Sequence, residues 1–256
     1  MKWWLMRLLL RTVGRLSRGI RIGYRHGFDS GTMLDYVYAD RSHGALLIGR
    51  LIDRVYLNAV GWRAIRARRD LLGDVLREEI SARAGRALIL DVAAGPGRYL
   101  LDVAREQPDV EVVCRDLAPA GLELGRRRAA ARGLTNVRFE RGDAFDPAPL
   151  GRPADIVVVS GLYELILDDD TIRESFVRLR DLLAPDGVLV FTTQTQHPQL
   201  EFIANVLPNR DGELWVMKCR QAEQLHAWAL AAGYGDAVSR RERVGLFTVT
   251  TAMMKG

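Results

Sequence analysis

An apolar run, Ala87-Leu88-Ile89-Leu90, leads into Asp91-Val92-Ala93-Ala94-Gly95-Pro96-Gly97-Arg98. Small residues in such a turn let the main chain approach a ligand closely, since glycine has no side chain to hold it off. A helix starting there would add its free N–H groups and the positive end of its dipole. Two more acids stand in comparable places: Asp116 closes the apolar run from Val110, and Gly142-Asp143-Ala144-Phe145 follows the run from Asn136. Later in the chain His197 lies in Gln194-Thr195-Gln196-His197-Pro198-Gln199. Its ordinary pKa near neutrality suits a general base; alternatively, the imidazole caps a backbone group and shapes a loop. Tyr163 and Glu164 follow another apolar run and either line an acceptor pocket or, in the case of Glu164, charge a helix start.

The elements that must position these residues follow from periodicity. Strands are expected over 87–93, 110–116, 136–143, 154–161 and 187–194, and helices over 100–106, 118–132, 170–183 and 223–232. Pro185-Asp186-Gly187 reads as a helix stop. The runs 237–244 and 246–253 pair around Gly245 as a hairpin. The alternation predicts an α/β chain, Rossmann-like and doubly wound, with a mainly parallel seven-stranded sheet, a C-terminal antiparallel hairpin and an N-terminal helical cap. The expected division is 1–82 for the amphipathic helix and cap, and 83–256 for the sheet domain. In such sheets ligands bind at the carboxyl ends of the strands, which is where the acids and the glycine turn fall.

The strand, acid and glycine turn at 87–98 resemble the first motif of class I S-adenosylmethionine-dependent methyltransferases, with Ala93 where that family commonly has glycine. The resemblance implies S-adenosylmethionine as cofactor. It implies Asp91, Ala93, Gly95 and Gly97 at the cofactor turn, Asp116 on the ribose hydroxyls and Asp143 on the adenine amino group. It also places Leu117, Ala144 and Phe145 around the adenine and Ser160 beside the cofactor. A carboxylate can take two hydroxyl hydrogen bonds, each strengthened by its charge. With the segments around 27–38, 160–164, 194–201 and 215–220, most of the chain resembles a bacterial subgroup of these enzymes, some of them joined to α/β-hydrolase domains.

A nicotinamide-dependent dehydrogenase is the rival. Its G-x-G-x-x-G fingerprint would use Gly95 and Gly97, but Leu100 stands at the third glycine. The methyltransferase reading assigns His197, Tyr163 and Glu164 to the acceptor side. Displacement at a sulfonium needs mainly alignment of nucleophile, carbon and sulfur, and no triad is recognisable. The expected reaction methylates an oxygen or nitrogen of a small, apolar or lipid-like acceptor. The alternatives are an RNA or protein methyltransferase and a non-catalytic cofactor-binding partner protein. Ser160-Gly161-Leu162-Tyr163 stands where an amine-methylating N-P-P-[YF] motif would be, which weighs against planar amines. Asp168, Asp169 and Asp170 precede a helix and read as N-capping rather than metal ligands, so no metal is expected.

Arg7, Arg11, Arg15, Arg18, Arg21 and Arg25 recur at helical spacing, opposite Leu5, Met6, Leu9, Val13, Leu16 and Ile20, with Trp3 and Trp4 at the tip. One amphipathic helix over 1–26 could meet an anionic membrane surface, the protein's own core, or a second subunit as a homodimer. Nucleic acid is disfavoured, because no stacking platform interleaves the basic residues. Residues 27–47 read as a surface loop, and Leu47, Ile48, Leu51, Ile52 and Val55 are spaced for one buried face. The net charge of +5 and a 48% hydrophobic composition suit a folded protein with basic surface. Two cysteines, Cys114 and Cys219, give no disulfide framework, and the arginines break any signal-peptide core. The expected location is the cytoplasm, with peripheral attachment at the inner membrane face.

Overall fold

The structure, a computed structural model, describes residues 2–255; Met1 and Gly256, which end the expected 1–82 and 83–256 segments, lie outside the described residues. In chain order the first helices are α1 (Lys2–Arg11), a 3-10 turn (Val13–Leu16), α2 (Arg18–His26), α3 (Gly31–Ala39), α4 (Leu46–Leu57) and α5 (Val60–Ala82). Next come β1 (Leu88–Asp91), α6 (Arg98–Glu106), β2 (Glu111–Asp116), α7 (Pro119–Ala131), β3 (Val137–Arg141) and β4 (Ala154–Val159). The remainder is α8 (Asp169–Arg180), β5 (Leu183–Gln194), α9 (Leu200–Val206), α10 (Ala222–Ala231), β6 (Tyr234–Arg241) and β7 (Phe247–Met254).

By internal packing the chain forms two units, residues 1–67 with 197–217, and residues 68–196 with 218–256. The boundary thus falls inside α5 rather than after residue 82. The C-terminal half of that helix gives Leu72, Val75, Leu76 and Ile80 to the core of the sheet unit. Residues 197–217 leave the sheet and fold with the N-terminal helices.

In the N-terminal unit the expected single helix over 1–26 is broken. Ser17 takes an extended conformation and caps α2, its side chain accepting the Ile20 N–H. The buried Asp53 carboxylate holds this break together. Oδ1 accepts the Gly19 N–H at 2.8 Å and the Ser17 hydroxyl, and Oδ2 accepts the His43 N–H at 2.8 Å and the Tyr36 hydroxyl. The segment expected as a loop contains α3, capped by Ser30 and buried through Met33, Tyr36 and Val37. Tyr36 is therefore a core residue. The apolar stripe of α4 points the other way from expectation: Leu47, Ile48, Leu51 and Val55 are exposed, and Gly49, Asp53 and Leu57 face inward.

In the sheet unit seven strands run in the order β3-β2-β1-β4-β5-β7-β6. The pairs from β3 to β5 are parallel, and β7 is antiparallel to both β5 and β6. This is the α/β, mainly parallel sheet with a C-terminal hairpin that the strand alternation predicts. A dehydrogenase sheet of order 3-2-1-4-5-6 has no antiparallel strand inserted beside its fifth. Successive strand residues feed two cores, Ile89, Val112 and Val190 on one face and Leu90, Val113 and Phe191 on the other. One boundary differs from the sequence reading. β5 starts at Leu183, which pairs with Ala154, and Pro185-Asp186-Gly187 lies in a register shift before Val188 pairs with Ile156.

Candidate cofactor and acceptor site

The carboxyl ends of β1, β2 and β3 are neighbours in the sheet, so Asp91, Asp116 and the 142–145 segment come to one edge. The turn after β1 depends on its glycines. Gly95 has φ 53° and Gly97 φ 62°, in the left-handed region that side chains disfavour. A Cβ on Gly97 would stand 2.9 Å from the Cys114 sulfur. Gly97 is also the residue from which α6 starts, so the first N–H groups of α6 open onto this edge.

Asp116 ties the turn to the next strand. Its Oδ2 accepts the Gly95 N–H at 2.8 Å and its Oδ1 the Ala118 N–H at 2.8 Å. Each oxygen keeps acceptor capacity, and the side chain is half-buried rather than sealed. Gly142 N–H donates to the Asp116 carbonyl at 3.2 Å, which brings Asp143 beside it. Asp143 is exposed and accepts the Phe145 N–H at 2.9 Å, with Ala144 buried and Phe145 half-buried. Leu117 stands 54% exposed at the end of β2, an apolar side chain without cover. Ser160 is half-buried beyond the end of β4. These residues fit an adenosine-bearing cofactor: a carboxylate with free lone pairs for a diol, a second acid with exposed oxygens, and apolar side chains for a flat ring.

Asp91 is wholly buried. Its Oδ1 accepts the Ala93 N–H at 2.9 Å and its Oδ2 the Tyr99 hydroxyl. Burial pushes its carboxyl up to about 7, against the two hydrogen bonds that favour the charged form. Cys114, behind the glycine turn, is buried too, and its thiol is pushed up for the same reason.

Of the residues expected on the acceptor side, Tyr163 is placed in the core of the sheet unit. It is 2% exposed, packs on Phe176 and Phe191, and shares a 2.9 Å hydrogen bond with the Ser175 hydroxyl. Glu164 points elsewhere: its Oε1 accepts from Arg68 Nη1 at 3.0 Å, and its Oε2 has no hydrogen-bond partner among the described residues. The Arg68 guanidinium lies over the Phe247 ring and fills the space beside Gly161, where a Cβ would stand 2.8 Å from Nη2. Arg220 braces the same loop, donating to the Tyr163 and Ile166 carbonyls at 2.8 and 2.6 Å and to Asp169. Asp168 caps α8 through the Thr171 N–H at 2.9 Å, and Asp169 is paired with Lys218 and Arg220. Among the described residues no group of three or more His, Cys, Asp or Glu could hold a metal ion.

His197 belongs to the N-terminal unit. Its Nδ1 accepts the Gln199 N–H at 3.0 Å, so the ring proton sits on Nε2, close against Gly61. Burial pushes the imidazole down to about 4. That hydrogen bond engages the lone pair which a general base would use and ties the ring to its own loop. Sequence reasoning missed Arg68, although its position on the stripe Ala64, Arg68, Leu72 and Leu76 of α5 marks it as inward-facing.

Residues 1–254 match the sequence model of a family described as "Putative methyltransferase". The protein YnbC of Escherichia coli K12 is 38% identical over 260 residues, which cover 98% of this chain and 44% of that protein. The chain therefore spans less than half the length of that curated relative. Among solved structures, an exported-protein candidate from Bordetella parapertussis superposes with a TM-score of 0.74 at 22% identity, covering 89% of this chain and 80% of that one. Magnesium protoporphyrin IX methyltransferase from Synechocystis PCC 6803, with bound SAH, superposes with a TM-score of 0.63 at 13% identity, covering 90% and 98%.

Proposed function

The chain belongs to this methyltransferase family, Methyltransf_20, whose cofactor is S-adenosylmethionine, and on that premise we propose that it methylates an oxygen or nitrogen of a small, apolar or lipid-like acceptor. The observation that supports the cofactor side of this reading is the Asp116 carboxylate, fixed by Gly95 and Ala118 N–H groups while retaining capacity for a diol; the acceptor class rests on the apolar, basic N-terminal segment. Bound there, the cofactor supplies an electrophilic methyl group on a sulfonium.

The protein's part is binding and alignment. The Gly95–Gly97 turn lets the main chain approach, and Asp116 would hold the ribose hydroxyls. Asp143 would accept from the adenine amino group, and Leu117 and Phe145 would cover its ring. The buried Arg68–Glu164 pair and Arg220 hold the loop after β4 rigid, which keeps an acceptor in line. No side chain is assigned as base: the Tyr163 hydroxyl is buried and its pKa raised by burial, and the His197 acceptor nitrogen is occupied.

Incubation with methyl-labelled S-adenosylmethionine and a bacterial extract tests the reading, followed by separation of lipid, small-molecule, protein and nucleic-acid fractions. Label in the lipid or apolar fraction, lost in Asp116→Ala, is expected. Label in RNA or protein would replace the acceptor class while leaving the cofactor chemistry intact.

A further inference from the structure

The N-terminal unit turns apolar side chains outward on two helices. In α4, Leu47, Ile48, Leu51 and Val55 are 82, 61, 65 and 67% exposed. Positions 47, 51 and 55 form one stripe along a helix, with Ile48 beside them and the exposed Arg50 and Arg54 on the flank. In α1 the inner side is used: Trp3 packs on Phe202, and Arg7 Nε donates to the Asn205 carbonyl at 2.6 Å. That leaves Trp4, Leu5, Leu8 and Leu9 in solvent, and no residue of α1 is buried. The 3-10 turn joins the two helices. Its exposed Val13 follows α1, and α4 begins against its far end, with the Ala45 N–H donating to the Leu16 carbonyl at 3.0 Å and Gly49 close to the same oxygen.

A helix in a water-soluble unit buries its apolar stripe, and patches of this kind mark interaction surfaces. Charge decides what covers this one. Residues 1–58 hold ten Lys or Arg against four Asp, a net +6, where the whole chain carries +5. Three of those aspartates, Asp29, Asp35 and Asp53, are buried, and Asp40 is paired with Arg54 and Arg66. Within residues 1–58 the apolar stripes thus have cations beside them and almost no exposed acid; the exposed acids of this unit, Glu201, Asp211 and Glu213, lie in 197–217, where Trp3 and Arg7 of α1 pack with their inner side. Two copies meeting through this face would bring like charges together. An anionic bilayer complements both features: its acyl boundary takes Leu, Ile, Val and Trp, and its phosphates take Arg. At 10 and 12 residues, α1 and α4 are too short to cross a bilayer and suit the plane of its interface.

We propose that α1, the 3-10 turn and α4 together form a docking surface for an anionic lipid bilayer. It goes beyond the arginine face over 1–26, because α4 supplies half of the apolar contact. The surface does not depend on which acceptor is methylated.

The test is flotation of the full chain with vesicles of phosphatidylcholine alone and of phosphatidylcholine mixed with phosphatidylglycerol. The mixed vesicles should carry the protein up, the neutral ones far less, and added salt should release it. Leu47→Gln with Leu51→Gln should weaken partitioning about tenfold or more, since both side chains lose their apolar contact. Both residues are exposed, so thermal stability and S-adenosylmethionine binding should match the parent and rule out misfolding. Equal partitioning of parent and variant, or no preference for the anionic vesicles, overturns the proposal. So does a discrete dimer in light scattering that the double variant dissolves, because the face would then belong to a second copy.

Discussion

Arg68 Nη1 donates to Glu164 Oε1 at 3.0 Å, and the two side chains are 2% and 6% exposed. An ion pair so far from solvent is held by its geometry, because each charge alone would be costly to keep dry. It links the middle of α5 to the loop after β4. Arg68→Met should therefore cost about 3–5 kcal/mol, through the carboxylate it strands. Adding Glu164→Leu should recover most of that loss. Urea denaturation of both single variants and the double variant gives the coupling directly; a cost for Arg68→Met below about 1 kcal/mol would remove the pair from the account of this loop.

Asp116 accepts the Gly95 and Ala118 N–H groups and, on the proposed function, would also hold the ribose diol, two tasks that substitution can separate. The Asp116→Asn side chain can still accept the Gly95 N–H but offers a diol one neutral acceptor in place of a carboxylate. Asp116→Ala loses both. Charge-assisted hydrogen bonds are worth about 1.5–3 kcal/mol each, so S-adenosylmethionine affinity should fall about tenfold in Asp116→Asn and a hundredfold or more in Asp116→Ala. Isothermal titration checks the order. Equal, small losses in both variants would place the ribose elsewhere.

That these residues meet at one sheet edge was legible in the sequence, and the reason is local. A strand that ends in an acid and a glycine turn announces where the chain turns back, because the turn's conformation and the strand's direction are written in adjacent residues: Asp91 to Gly97, Asp116, Gly142 to Asp143. What was hidden depends on partners distant in sequence. The stripe Leu47, Leu51, Val55 shows which residues share a face but not whether anything covers it. Arg68 sits in register with Ala64 and Leu72, yet its charge reads as solvated until Glu164 is seen opposite. Tyr163 lies two residues past Gly161, whose φ of 73° redirects the chain, so strand alternation could not tell that its ring turns into the core.

The protonation of Asp91 should be visible in stability. Its folded-state pKa of about 7 lies above the ordinary value of 3.8. Across that window the folded protein keeps a proton that the unfolded chain has lost. Stability from this group therefore falls as pH rises from about 4 to 7, by up to about 1.4 kcal/mol per pH unit, and levels off above 7. Asp91→Asn keeps an amide oxygen for the Ala93 N–H and carries no charge at any pH. The difference in unfolding free energy between Asp91→Asn and the parent should shift in favour of the variant between pH 5 and pH 7.5. A pH-independent difference would mean that Asp91 is ionised throughout.

His197 gives the sharpest kinetic expectation. With its pKa pushed down to about 4, the ring is neutral across the range in which the enzyme would be assayed. Its acceptor nitrogen is engaged by the Gln199 N–H, and the remaining ring nitrogen carries the proton. A general base of ordinary pKa would impose a rising limb near pH 6 to 7 on kcat/KM; here no such limb should belong to His197. The His197→Asn side chain can still accept a backbone N–H, so it should keep kcat within about twofold, whereas His197→Ala should lose about 1 kcal/mol of stability through the missing hydrogen bond. The two roles separate cleanly. A loop-shaping imidazole predicts that Asn rescues what Ala damages and that the profile shape is unchanged. A base predicts that both variants lose turnover by about a hundredfold or more and that the limb disappears with the ring.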